Sequence, residues 1–265
     1  MNSPVARYID VDWNRFEPWR IQPVRHRVQD HPLLQPDQLI ELGKRLEVQS
    51  LTRTHTNDAT ADTPFDNAPR LHPNKLTAAE TLQHIQSAKA WMSLLNVQTD
   101  PLYRTFVREV LDDVQPEIEK RDPGMCYRAG WIFVSSPKTI TPFHMDTEHN
   151  FILQMRGKKT IYVWEHDDLA VVSEKARNRF HGHHSRELMI WRDEFRGQPR
   201  RTRAPARQRQ CSARRARESP PELKVRCVEV PVLPLRGIAP STHCPNAPCS
   251  FGRTASVQTP ISACA

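Results

Sequence analysis

The sequence predicts an α+β protein, with helices in its first half and then a run of short antiparallel strands forming a sandwich or barrel. Three observations carry this expectation. Apolar residues recur at helical spacing in separate stretches between Pro36 and Val114. From Tyr127 to Trp164 they fall instead into short β-branched and aromatic runs separated by turn residues. No internal repeat divides the 265 residues, a length that suits one large domain or two small ones.

Taken in order, residues 1–35 are rich in Pro, Arg and aromatics (Trp13, Phe16, Trp19) and read as an extended arm laid over a domain. Residues 36–47 predict a short helix, with Leu39, Ile40, Leu42 and Leu46 at helical spacing. Residues 52–73 are polar and are expected to form a loop. Thr77 and Glu80 form a capping box, each side chain able to satisfy a free N–H at a helix start. The helix behind it is expected to reach about Asn96, burying Leu82, Ile85, Trp91, Met92 and Leu95, with Trp91 as core. Another begins after Asp100-Pro101 and carries Leu102, Phe106, Val110, Leu111 and Val114 on one side. Strands are expected at 127–136, 139–146, 150–155 and 159–164, with Arg156-Gly157 as a tight hairpin turn between the last two. Residues 169–180 return to a helical pattern, and 181–195 are polar. The divisions are therefore an arm at 1–35, a main domain at 36–196 and a tail at 197–265.

Charge and cysteine separate the tail from the body. The chain has a net charge of +8, but residues 197–265 hold 12 Lys/Arg and 3 Asp/Glu, leaving the first 196 residues near neutrality. Only Cys126 lies in the body; Cys211, Cys227, Cys244, Cys249 and Cys264 lie in the tail, and no Cys-x-x-Cys pair occurs. One body cysteine argues against a disulfide scaffold. There is no run of eighteen apolar residues and no apolar segment behind a basic start at the N-terminus. The expectation is a soluble, intracellular, cytoplasmic protein with no membrane partner.

The chemistry concentrates in Thr141-Pro-Phe-His-Met-Asp146. On a strand, residues i and i+2 share a face, so His144 and Asp146 point together and Met145 points away. An imidazole and a carboxylate at adjacent inward positions supply two corners of a two-His-one-carboxylate facial triad, a geometry suited to iron(II). The bland alternative is a His and an Asp that merely bond each other. Lys159, beginning the returning strand, shares a face with Ile161 and Val163. A Lys there needs an anionic partner, because burying an unpaired ammonium is costly. The alternative is that Lys158 and Lys159 are solvated turn charges.

Thr-x-x-His-x-Asp, followed by Asn150-Phe151 and by Gly-x-Lys at 157–159, resembles the JmjC/cupin-type, iron(II)- and 2-oxoglutarate-dependent oxygenases. The resemblance covers roughly residues 5–196. It implies a double-stranded β-helix (jelly-roll) core behind a helical lead-in. It also implies His144 and Asp146 as iron ligands, Thr141 and Lys159 on the far carboxylate of 2-oxoglutarate, and Asn150 lining the same pocket. The reaction implied is hydroxylation of a protein or small-molecule substrate, using O2 and turning the 2-oxo acid into succinate and carbon dioxide. A homodimer built through the C-terminal region is implied as well.

The third ligand of that family, a second His on a later strand, has no clear counterpart. His243, in Pro240-Ser-Thr-His-Cys-Pro245, is the one His of the tail, while His181, His183 and His184 read as solvated loop residues. The core is therefore expected to be incomplete. Residues 225–235 are the only strand-like piece of a tail that otherwise lacks period and is expected to be disordered. Three readings follow: an oxygenase whose reading frame shifts near Gly197; a non-catalytic binding or transcription-regulatory module; or a protein with a basic arm for nucleic acid. Against the last, the tail offers Arg for phosphates but only Phe251 for stacking.

Overall fold

The computed structural model describes residues 8–18, 22–146, 148–164, 168–197, 225–232 and 261–264, the last two by their strand pairing. It is α+β, a mixture of helices and small antiparallel sheets. Two short strands, β1 (Ile9–Asp10) and β2 (Arg25–His26), pair with each other. They bring Ile9 and Val28 into the main core, together with Leu34 further along. Helix α1 (Pro36–Val48) starts on a proline at its first turn, where the missing N–H costs nothing, and buries Leu39, Leu42 and Leu46.

The segment expected as a loop at 52–73 instead holds strand β3 (Thr52–Thr56) and a one-turn helix, α2 (Ala68–Leu71). Its composition is polar, yet Thr52, Thr54 and Thr56 are β-branched at period two, which suits a pleated strand. Thr77 and Glu80 do form the capping box of α3 (Ala78–Gln83). That helix does not continue to Asn96, because residues 90–94 form β4 (Ala90–Leu94), buried on both faces. A strand covered on both sides reads as a continuous apolar run, which periodicity alone cannot tell from a buried helix. Trp91 is core, as expected, and 2% exposed.

Helix α4 (Pro101–Glu119) follows its Asp100 cap, and then come β5 (Trp131–Ser135), β6 (Thr141–Met145), β7 (His149–Leu153) and β8 (Ile161–Trp164). Helix α5 (Glu174–His183) is capped by Ser173, so His181 and His183 sit on its last turn and not in a loop. Residues 225–232 form β9 (Val225–Val232) and residues 261–264 form β10 (Ile261–Cys264). The first of these falls on the strand-like piece read at 225–235; the other residues from 198 on, His243 among them, lie outside the described residues.

The strands make a five-stranded sheet in the order β3-β4-β5-β9-β7 and a three-stranded sheet in the order β6-β10-β8. Strands β7 and β8 therefore lie in different sheets, which corrects the hairpin expected at Arg156-Gly157. The turn is present, with Gly157 at φ 73°, but each strand finds its partner in the C-terminal segment. A turn signal fixes a change of direction and says nothing about pairing. The returning strand also starts at Ile161, two residues later than expected. On one face of the larger sheet, Met92, Leu94, Ile132, Val134, Phe151 and Leu153 pack against α1, α3 and α4. The outer side of the smaller sheet, through Phe143, Met145 and Trp164, packs on Val172, Phe180 and Phe195.

Candidate functional site

His144 and Asp146 come together at β6, buried at 7% and 8% exposure. His144 Nδ1 donates to the Pro142 carbonyl at 2.7 Å. Its Nε2 lies 3.6 Å from Asp146 Oδ2 and offers a lone pair once the imidazole is neutral. Locking one ring nitrogen on a backbone carbonyl is how an imidazole is held in the tautomer a metal needs. Phe65 stacks on the imidazole, with centroids 4.0 Å apart.

Arg186 holds the other side of the carboxylate, a contact that the sequence reading missed. Its Nη2 donates to Asp146 Oδ1 at 3.2 Å, its Nε to the Met145 carbonyl at 2.8 Å and its Nη1 to Asp66 Oδ1 at 3.1 Å. The guanidinium also lies over the rings of Phe65 and Phe180. Burial alone would push the Asp146 carboxyl up, but a protonated His144 imidazole and the Arg186 guanidinium reverse this and hold it well below the usual carboxylate range. Nothing in the polar stretch around Arg186 signals this role, since the fold brings it to a residue forty positions away.

Thr141 is also buried, and its Oγ1 has no hydrogen-bond partner. Strict alternation would put it on the opposite face from His144, three residues on. The pairing with β10 undoes this: Ser262 stands opposite His144 and Cys264 opposite Thr141, so three steps on β6 match two on β10. An irregularity of this kind returns Thr141 to the face of His144. Ser262 also stands opposite Val163 on β8, which carries that face across toward Ile161 and, beyond the strand's start, the half-buried Lys159. Lys158 is exposed. Asn150 lies on β7, in the larger sheet, at the same parity as Ile152, which packs against Trp91 and Phe133. The described contacts bring His144 and Asp146 together; they do not join Asn150 to that pair.

No family model, curated protein or solved structure matches the chain.

The residues themselves can be tested against an iron(II) ion. A neutral imidazole nitrogen and a carboxylate oxygen are a donor pair of the right chemistry, and His144 Nε2 faces Asp146. Among the described residues no group of three or more His, Cys, Asp or Glu could hold a metal. His149, the nearest further imidazole in sequence, is directed elsewhere, with Nε2 3.9 Å from Asp122 Oδ2. His181 on α5 has both ring nitrogens buried without hydrogen-bond partners and is not next to Asp146 in any described contact. The pair therefore fits two positions of a metal site.

Proposed function

We propose that the chain is an iron(II)- and 2-oxoglutarate-dependent oxygenase of the hydroxylase type, its two larger sheets forming a jelly-roll core. The observation that carries this reading is His144 Nε2 held facing Asp146, with the unpartnered Thr141 hydroxyl on the same face. Iron, when bound, would supply the oxygen-activating chemistry. His144 and Asp146 would hold it, and the Pro142 carbonyl would keep the imidazole in its ligating tautomer. Thr141 and Lys159 would hold the far carboxylate of 2-oxoglutarate, and Asn150 would line its pocket. His243 is the candidate for the third ligand.

A second reading is favoured by Arg186, which already neutralises Asp146. In a non-catalytic binding module that ion pair would replace the metal.

Titration of manganese(II) into the protein separates the two. The oxygenase reading expects binding that is lost in His144→Ala and Asp146→Ala. It also expects Lys159→Ala to weaken 2-oxoglutarate binding by roughly tenfold or more, the worth of a charge-assisted contact, with Lys158→Ala doing little. Equal manganese binding by all the variants would sink it, and an absence of both ligands would favour the binding module.

A further inference from the structure

Arg186 is shared between two carboxylates. Its guanidinium spends one N–H on each, Nη2 on Asp146 Oδ1 at 3.2 Å and Nη1 on Asp66 Oδ1 at 3.1 Å. Arginine holds a carboxylate best as a two-pronged fork, with N···O distances of about 2.7–2.9 Å. Both contacts here are single and longer than that, so neither acid holds the cation fully. The shortest of its three bonds goes instead to the Met145 carbonyl, from Nε at 2.8 Å. That bond fixes the root of the guanidinium and leaves its two ends divided between the acids.

The acids differ in their surroundings. Asp146 is buried, whereas the side chain of Asp66 is 44% exposed. Asp66 sits on the turn before α2, and that turn is held against the sheets. Phe143 N–H of β6 donates to the Ala61 carbonyl at 3.1 Å, and Arg53 Nη2 donates to the Phe65 carbonyl. The guanidinium itself rests over two rings, 5.2 Å from the centroid of Phe65 and 4.8 Å from that of Phe180. Attraction to a ring face has no hydrogen-bond direction to satisfy, so the cation can shift between the acids and keep it. A shift toward Asp66 runs outward to water and uncovers Asp146 Oδ1. The guanidinium is repelled by a dication held at Asp146, and Asp66 is the acid placed to receive it.

We propose that Asp66 is a positioning residue for the metal pair, to which Arg186 passes from Asp146 when a divalent cation is bound. The proposal rests on the metal-binding reading of His144 and Asp146. Asp66 acts only through Arg186. With Asp66 present the guanidinium leaves one carboxylate for another; without it, Asp146 is released only by stripping Arg186 of its last acid.

A double-mutant cycle tests this, with manganese(II) alone titrated by calorimetry into the whole chain. Asp66→Asn should weaken binding about threefold, the worth of a partly solvated ion pair, and Asp66→Glu should restore it. Arg186→Gln should tighten binding roughly tenfold. In the Arg186→Gln background Asp66→Asn should then change nothing, because the group through which it acts is gone. If Arg186→Gln does not fold, Arg186→Met, which keeps an apolar stem between Phe65 and Phe180, takes its place in the cycle. An equal loss in both backgrounds would make Asp66 a ligand or a direct source of field, and overturns the proposal. So does the absence of a loss in either background, or weaker binding by Arg186→Gln. In each of those cases manganese binding that is lost in His144→Ala and Asp146→Ala leaves the metal reading standing. If no variant binds manganese, Arg186→Gln included, both fall.

Discussion

Arg186 and a divalent cation would compete for one carboxylate. The guanidinium donates to Asp146 Oδ1, the partner atom of the oxygen that faces His144. Arg186→Gln should therefore tighten manganese(II) binding by roughly tenfold, the equivalent of one charge-assisted hydrogen bond. The same titration that defines the site reads this out. Weaker binding would instead make Arg186 the group that aims Asp146. The substitution also deprives the Met145 carbonyl and Asp66 of their donor, and should cost about 1–2 kcal/mol in urea unfolding. At this scale the sequence was legible where chemistry is local. His144 and Asp146 are two apart on one strand, so their spacing suffices to join them. Arg186 and Phe65 reach them only through the fold, and no local pattern announces them.

Helix α4 shows how an element's start can be legible from two residues. Asp100 accepts from the Leu102 N–H at 3.0 Å, and Pro101 follows where no N–H is needed. The same carboxylate, 2% exposed, pairs with Arg45 Nε at 2.5 Å and so ties α4 to α1. Asp100→Ala should lower stability by about 2–3 kcal/mol, part from the cap and part from the ion pair, discounted because Arg45 is partly solvated. Asp100→Asn keeps the cap and should lose about half of that. Equal losses in the two variants would assign the whole effect to Arg45. Elsewhere, burial on both faces hid β4 inside what looked like a helix. Strand β3 was hidden for the opposite reason. Its Arg53 and His55 stand opposite Ser93 and Trp91 of β4, and a strand whose inward residues are polar resembles a loop in composition. The alternating Thr52, Thr54 and Thr56 were the available signal.

Across the whole molecule, buried imidazoles link stability to pH. Burial lowers the pKa of His26 and of His55 from the ordinary value of 6.5, against a backbone hydrogen bond in each case. The unfolded chain takes up these protons as pH falls below about 6.5, whereas the folded chain resists them until its lower pKa values are reached. Unfolding is therefore favoured progressively below about pH 6.5, and these groups add no slope well above it. The thermal midpoint should fall between pH 7 and pH 5, and His26→Gln should flatten part of that fall. A midpoint level over this range would show that neither imidazole changes its proton affinity on folding. The carboxylates of Glu80, Glu117 and Glu119, lowered by their hydrogen bonds, lose their contribution only at more acid pH.

Strands β3, β4 and β5 pair with their neighbours in sequence, so they can zip together early. Strands β9 and β10 cannot, because each enters between two strands that precede it along the chain: β5 and β7 for one, β6 and β8 for the other. Closing such long loops is entropically slow, and non-local pairing lowers folding rates. Refolding should therefore run in two stages, with insertion of the late strands setting the rate. Pulsed hydrogen exchange should protect amides of β4 before those of β9 and β10; simultaneous protection, or none in the late strands, would refute the order. Until insertion is complete, four strand edges stand open to any second chain that meets them. The yield of folded protein then depends on concentration and on time spent waiting, a kinetic vulnerability that the finished structure no longer shows.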